Sequence, residues 1–229
     1  MDADFSLVME TSTPHASIAR VGPQGLVEQR AFCSDRHHNA MLFEPLEQLF
    51  HRHGRQDIGL VLVGSGPGSY SGTRVGIAAA QGVAIALACP AVAVPSILAV
   101  PSAAGGAACL AIGDARRGSY WSARVENLRL LDGPVLCDVH GLVALVEAAL
   151  AVGVRVFSFE DVVRFQLPDE LAARVSLETP DAARLWQAWQ SADEATQRQW
   201  ASAIPQPLYL KPPHITPAKR PLWERPPAP

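Results

Sequence analysis

Charge is scarce in this 229-residue chain: Asp, Glu, Lys and Arg together make up 18% of it, against 48% hydrophobic residues. A chain so poor in charge buries a sizeable core and is not disordered. A basic excess is also missing, because the formal net charge is −3. Proteins whose own affinity is for phosphate backbones carry such an excess. If this chain serves RNA chemistry, something else grips the RNA. Its length suits one large domain or two small lobes.

Cysteine is equally sparse. Cys33, Cys89, Cys109 and Cys137 are scattered, with no CxxC pair and no zinc-like spacing, which excludes a disulfide framework or a cysteine zinc site. They read as small buried hydrophobes in a reducing compartment. The acidic stretch Met1–Phe5 lacks the basic, apolar and cleavage regions of a signal peptide, so a cytoplasmic location is expected. No charged residue occurs between Arg74 and Asp114, which raises the question of a membrane span. Pro90, Pro95 and Pro101 cut that stretch. Its longest helical piece, 75–89, falls short of the ~20 residues a span needs. Buried core is expected there, with no membrane contact.

What is present is ordered as strands first and helices after. Residues 5–9, 17–21 and a third run through about Phe32 read as three strands joined by tight turns, an antiparallel meander. From Asn39 the apolar positions Leu42, Leu46, Leu49 and Phe50 recur at helical spacing, predicting an amphipathic helix to about Gly54. Leu60–Val63 is a buried strand running into the glycine loop 64–72. A second helix then starts near Thr73, with Ser71 or Thr73 as its cap. Strands follow at 91–94, 108–112 and 120–125. Beyond Leu128 the pattern weakens to helices over 139–152 and 181–201 and a strand over 154–159. The expected class is α/β with a mixed sheet and helices on its faces.

A strand, a glycine loop and a helix form the usual geometry for holding phosphate, here with Gly66, Gly68, Ser69, Gly72 and Thr73 as the candidate residues. Neither standard pattern is met: the loop has no Lys, and Ser69 stands where the dinucleotide pattern needs its third glycine. The alternative use of those glycines is tight packing against a neighbour. In the next helix Gly76, Ala80, Ala84 and Ala88 repeat every fourth residue, and Ala78, Gly82 and Ala86 form a second stripe. Such stripes admit a second helix at close range, within the core or on a docking face.

Residues 66–76, GPGSYSGTRVG, resemble the GPGSFTGLRIG signature of the TsaB (YeaZ-like) family. Weaker likenesses fall in the same order: Met9–Thr13 to its opening LDTST, 36–50 to its first helix, 91–99, 114–121, and Pro207–Lys211 to its closing PxYLR. The resemblance implies the actin/sugar-kinase/heat-shock-ATPase fold, with two lobes of ribonuclease-H-like topology. The lobes are expected at residues 1–104 and 105–204, followed by a proline-rich tail at 205–229. In that fold the acid ending the first strand often manages a metal-bound nucleotide. Here it is Glu10 in place of Asp, and its longer side chain makes magnesium chemistry less favourable.

The related catalytic subunit TsaD binds metal through an HxxxH pair. This chain matches it at His38 but has Leu42 at the partner position, so no metal is expected; His37, His51 and His53 read as polar positions. No catalytic residue is assigned, and a peptidase finds no motif. The resemblance therefore implies a non-catalytic scaffold. Its partners would be a TsaD-type catalytic subunit, a TsaE-type ATPase, or a second copy when alone. tRNA would be reached only through the complex, and no cofactor is held tightly, with ATP or ADP at the partner interface. The docking face is expected at Met41, Leu42, Pro45 and Leu49 on one helix and Gly76, Ala79, Ala80 and Val83 on the next. A large side chain at Gly76 or Ala80 is expected to block approach while the fold survives. A nucleotide-dependent enzyme of the sugar-kinase class is the alternative reading, and a TsaD-like metalloenzyme or peptidase a weaker one. The tail, with Lys211, Lys219, Arg220, Trp223 and Arg225, reads as extended and solvated.

Overall fold

The computed structural model describes residues 4–33 and 38–210, with side chains from Met41 onward in the second segment. The chain opens with the meander β1 (Phe5–Glu10), β2 (His15–Gly22) and β3 (Gly25–Cys33). After it come α1 (His38–His53), β4 (Ile58–Gly64), α2 (Tyr70–Leu87) and β5 (Ala91–Val94). β4 lies parallel to β1 and β5 parallel to β4, which gives a sheet of order β3-β2-β1-β4-β5.

The same plan then repeats. β6 (Cys109–Asp114), β7 (Tyr120–Glu126) and β8 (Arg129–Cys137) form a second meander. It continues through α3 (Val139–Ala151), β9 (Arg155–Ser158), α4 (Asp169–Ala172) and β10 (Val175–Leu177). The resulting order, β10-β9-β6-β7-β8, mirrors the first sheet strand for strand. β8 was not foreseen because Asp132, Gly133 and Pro134 interrupt its alternation, and α4 and β10 are too short to carry a period.

Alternation along the strands builds the core. Leu7 and Met9 of β1 and Val61 and Val63 of β4 point to one face of the first sheet, under Leu42, Leu46 and Leu49 of α1 and Ile77, Ala80 and Ala84 of α2. Val8, Leu62 and Val92 point to the other face and join a core shared with Ala111, Trp121, Ala123 and Phe157 of the second sheet. Central strands buried on both faces are apolar throughout, which is why residues 60–63 carry no alternation. The outer face of the second sheet packs Leu110, Ile112 and Tyr120 under Leu142 and Val146 of α3 and Phe165.

Two expectations need correction. The helix foreseen over 181–201 is two, α5 (Ala182–Ser191) and α6 (Glu194–Ser202), each with its own aspartate cap. Asp181 accepts from the Arg184 amide and Asp193 from the Thr196 amide, so the sequence stops and restarts at Ala192-Asp193. Nor do these helices belong to a second lobe ending at residue 204. Leu185 and Ala188 of α5 are fully buried in the core between the sheets, and the helix lies against β1, β2 and β4. The Ala182 amide donates to Ser17 Oγ at 2.9 Å. The second lobe closes with β10, and the chain returns to the first.

α2 starts at Tyr70, a turn earlier than expected, because the cap is Ser69: its Oγ accepts from the Gly72 amide at 3.2 Å. At 18 residues this helix is about 27 Å long. Among the described residues no helix is long and apolar enough to cross a membrane.

Candidate functional site

β4 delivers the chain to the glycine loop, which lies against the turn between β1 and β2. The Ser69 amide donates to the Ser12 carbonyl at 2.6 Å. A Cβ on Gly68 would stand 2.2 Å from that same carbonyl oxygen, and one on Gly72 would stand 2.4 Å from the Thr11 carbonyl. Gly66, with φ at 84°, lies in the left-handed region. Its amide donates to Ser96 Oγ at 3.0 Å and its carbonyl accepts from the Ser96 amide at 2.9 Å. The Ser65 amide is spent on Val94, the Gly72 amide on Ser69 Oγ and the Thr73 amide on the Ser69 carbonyl. A phosphate needs free amides aimed at it. Here five of them bond to the chain's own oxygens, and the space beside Gly68 and Gly72 is occupied by the hairpin turn. Packing explains Gly68 and Gly72, and it leaves few of the loop's amides free for a phosphate.

Glu10 ends β1 directly beneath this loop, with 0% of its surface exposed. Its Oε1 accepts from the Ser12 amide at 2.7 Å. Its Oε2 lies 2.0 Å from where a Cβ of Gly64 would be, and Ser96 Oγ lies 2.6 Å from that same point. Burial pushes the carboxyl above its ordinary range; the Ser12 hydroxyl and amide and the Ser96 hydroxyl pull the other way, and Asp181 adds to the rise. Neither Oε2 nor the Ser12 hydroxyl has a well-directed hydrogen bond, and the buried Thr73 hydroxyl also lacks one. The strand-end acid of this fold is therefore shut off from solvent. A carboxyl so placed does not fit a metal-bound nucleotide, whose cation needs ionised oxygens and room for its water.

Among the described residues no three His, Cys, Asp or Glu side chains gather as a metal centre. His37 and the side chain of His38 lie outside the described set, while Leu42 is buried in the core. His51 is exposed, and His53 Nε2 lies 2.6 Å from Glu28 Oε2 on β3. Asp114, at the end of β6, accepts from both the backbone and the guanidinium of Arg116.

The eight residues expected on a docking face divide evenly. Met41, Pro45, Ala79 and Val83 keep access to solvent. Leu42, Leu49, Gly76 and Ala80 face the first lobe's own core and are buried there. The periodicity of α1 and α2 located a packed helix pair, but it reported the inward seam as readily as the outward one. Gly76 is a poor place for a large probe residue, since even a Cβ there would meet Thr11 Oγ1 at 2.1 Å.

The tail was expected to be solvated from Pro205 on. Its first part instead runs along α2. Gln81 Nε2 donates to the Pro205 carbonyl at 3.2 Å, and the Leu208 amide donates to the Ser65 carbonyl at 2.8 Å. Arg74, stacked over the Tyr70 ring at 3.8 Å, donates to the Tyr209 hydroxyl at 3.0 Å. The likeness of residues 207–211 to the family's closing motif was the available signal for this contact. Residues 211–229, including Trp223 and the basic positions, lie outside the described ones.

Comparison with known proteins agrees with this geometry. The family model described as "TsaD: tRNA N6-adenosine threonylcarbamoyltransferase" matches residues 27–174, well over half of the chain. The tRNA threonylcarbamoyladenosine biosynthesis protein TsaB of Escherichia coli K12 is 31% identical over 130 residues, covering 53% of this chain and 56% of that protein. The match thus spans about half the length of that curated relative. Two solved structures from Pseudomonas aeruginosa share the fold. A protein described as similar to peptidase YEAZ has a TM-score of 0.69 at 21% identity, over 91% of this chain and all of its own. YeaZ has 0.65 at 19% identity, over 90% of this chain and all of its own. The two repeated sheets are the two lobes of the actin/sugar-kinase/heat-shock-ATPase fold. The chain belongs to the TsaD family, and within it is a TsaB/YeaZ-like protein.

Proposed function

We propose that this chain is a non-catalytic scaffold in the threonylcarbamoylation of tRNA, docking a TsaD-type catalytic subunit through the outer surface of α1 and α2. The observation that carries this reading is the surface itself. The two helices lie side by side on one face of the first sheet, and their outward surface combines apolar and small residues with the polar Glu44, Glu47 and Gln48 of α1. Met41, Pro45, Ala79 and Val83 lie there, with Phe43 at 54% and Ile85 at 82% exposure. Ala78, Gly82 and Ala86 are exposed along α2, and nothing stands near the space a Cβ of Gly82 would take. Small residues at that spacing bring a second helix's backbone close, and exposed large apolar side chains gain by being covered. The same surface serves self-association when the catalytic subunit is absent. A TsaE-type ATPase joins the pair, and ADP or ATP belongs at the partner interface. tRNA is engaged only through the complex, in keeping with the net charge of −3. The buried Glu10 and the filled glycine loop support a subunit without chemistry of its own.

The test is copurification of the tagged chain with the same organism's TsaD-type protein, followed by a threonylcarbamoylation assay with and without this chain. Modification that requires both proteins is the expected result. Ala78→Arg and Gly82→Trp, both at exposed positions, should abolish copurification while the variants melt as the parent does. A folded chain that neither associates nor affects modification would overturn the reading. The sugar-kinase-class alternative would then lead.

A further inference from the structure

Glu10 is a buried ionisable group that the proposed function does not use, and its surroundings are polar without being charged. The turn between β1 and β2 offers Ser12, β2 offers Ser17 as the cross-strand partner, and β4 offers Gly64. Ser96 comes from the 3-10 turn Ser96–Leu98. Among the described residues the charge acting on Glu10 is that of Asp181, the N-cap of α5, and it is negative. Arg184, the nearby cation of that helix, is bound to Asp181. Among the described residues no positive group thus faces the carboxyl, and ionising it would set an unpaired charge in the interior beside a second acid.

Three separate segments meet at this residue. The hairpin turn is held by the Ser12 amide on Oε1, and the glycine loop by the Ser96 hydroxyl that also accepts the Gly66 amide. α5 is fixed nearby through the Asp181 amide on the Ala99 carbonyl. Oε2 is buried without a hydrogen-bond partner, and Oε2 and Ser96 Oγ lie 2.0 and 2.6 Å from the one point that a Gly64 Cβ would take.

We propose that Glu10 is a proton-bearing lock that fastens the first hairpin turn to the glycine loop, and that loss of its proton loosens this junction. The fold's metal-managing carboxylate has here become a neutral hydrogen-bonding group. The sign follows from linkage. A carboxyl whose folded pKa lies above its unfolded value of 4.5 contributes stability fully below that value, and the contribution is lost as pH rises through the folded pKa.

The experiment is a series of thermal melts from pH 5 to pH 9 on the full chain and on Glu10→Gln, with hydrogen exchange of the 64–73 segment. The parent's Tm should fall relative to the variant as pH rises, so that the gap between them widens in the variant's favour. Protection of the 64–73 segment should fall in step, while the second sheet stays unchanged. Asp181→Asn should move the transition to lower pH than in the parent: with the neighbouring negative charge gone, Glu10 ionises more readily and the loss begins earlier. This arm decides the matter if the glutamine variant does not fold. Parallel pH curves, or a glutamine variant that loses ground as pH rises, would overturn the proposal. So would a magnesium-dependent rise in Tm of the parent that Glu10→Gln abolishes.

Discussion

The approach of α2 to the first hairpin turn can be tested by making one substitution twice in the same helix. Gly76 and Gly82 both lie inside α2, and Gly→Ala in a helix interior ordinarily stabilises by about 1 kcal/mol. At Gly82 the added methyl meets nothing within 4 Å, so Gly82→Ala should gain roughly 0.5–1 kcal/mol. At Gly76 the same methyl falls 2.1 Å from Thr11 Oγ1 and 3.3 Å from Thr11 Cβ. Thr11 is buried and its hydroxyl donates to the Gly72 carbonyl at 2.9 Å. Moving it aside forfeits about 1 kcal/mol of hydrogen bonding, and the crowding costs about 1–3 kcal/mol more. After the propensity gain, Gly76→Ala should be destabilised by about 1–3 kcal/mol. In a thermal melt a chain of this size moves about 2–4 °C per kcal/mol. The two variants should therefore move in opposite directions from the parent. If Gly76→Ala melts above the parent, as Gly82→Ala should, the turn does not press on α2 as described.

Two further outcomes follow from local geometry. Ser69→Ala removes the cap of α2 and should cost about 1 kcal/mol in urea unfolding, with Ser69→Gly milder; an unchanged midpoint would remove Ser69 from that role. Cys109, buried and pushed up to about 12 by that burial, and Cys89 and Cys137, both raised for the same reason, should resist a thiol reagent at pH 8 in the native protein. Cys33 on the exposed edge should react first, and prompt labelling of Cys109 would contradict its place in the core.

The first lobe was legible because its strands and helices carry strong periods and clear turns. Leu42, Leu46 and Leu49 gave α1, and the unbroken Leu60–Val63 run gave a strand buried on both faces. The same periodicity could not say which side of a helix faces a partner: Leu49 and Ala80 pack inward, whereas Ile85 stands almost bare. The glycine loop was readable as a tight structure, but its occupant, the carbonyl of Ser12, lies far away in sequence and leaves no local mark. For the same reason the return of α5 to the first sheet was missed. The contact between Ala182 and Ser17 spans 165 positions, and only a three-dimensional arrangement expresses it. Glu10 showed its position but not its burial, which depends on segments distant in sequence closing around it.

That return of α5 has a consequence for how the protein is made. Val8, Leu62 and Val92 belong to strands completed within the first part of the chain, yet the helix covering them is among the last elements translated. On the ribosome the first sheet can gather α1 and α2 on one side while its other side, even with the second sheet in place, stays incompletely covered until Leu185 and Ala188 arrive. Nascent chains with such uncovered apolar surface are the ones that chaperones hold and that aggregate when synthesis stalls. A truncation before residue 182 should thus yield an insoluble product, although it removes no strand of either sheet.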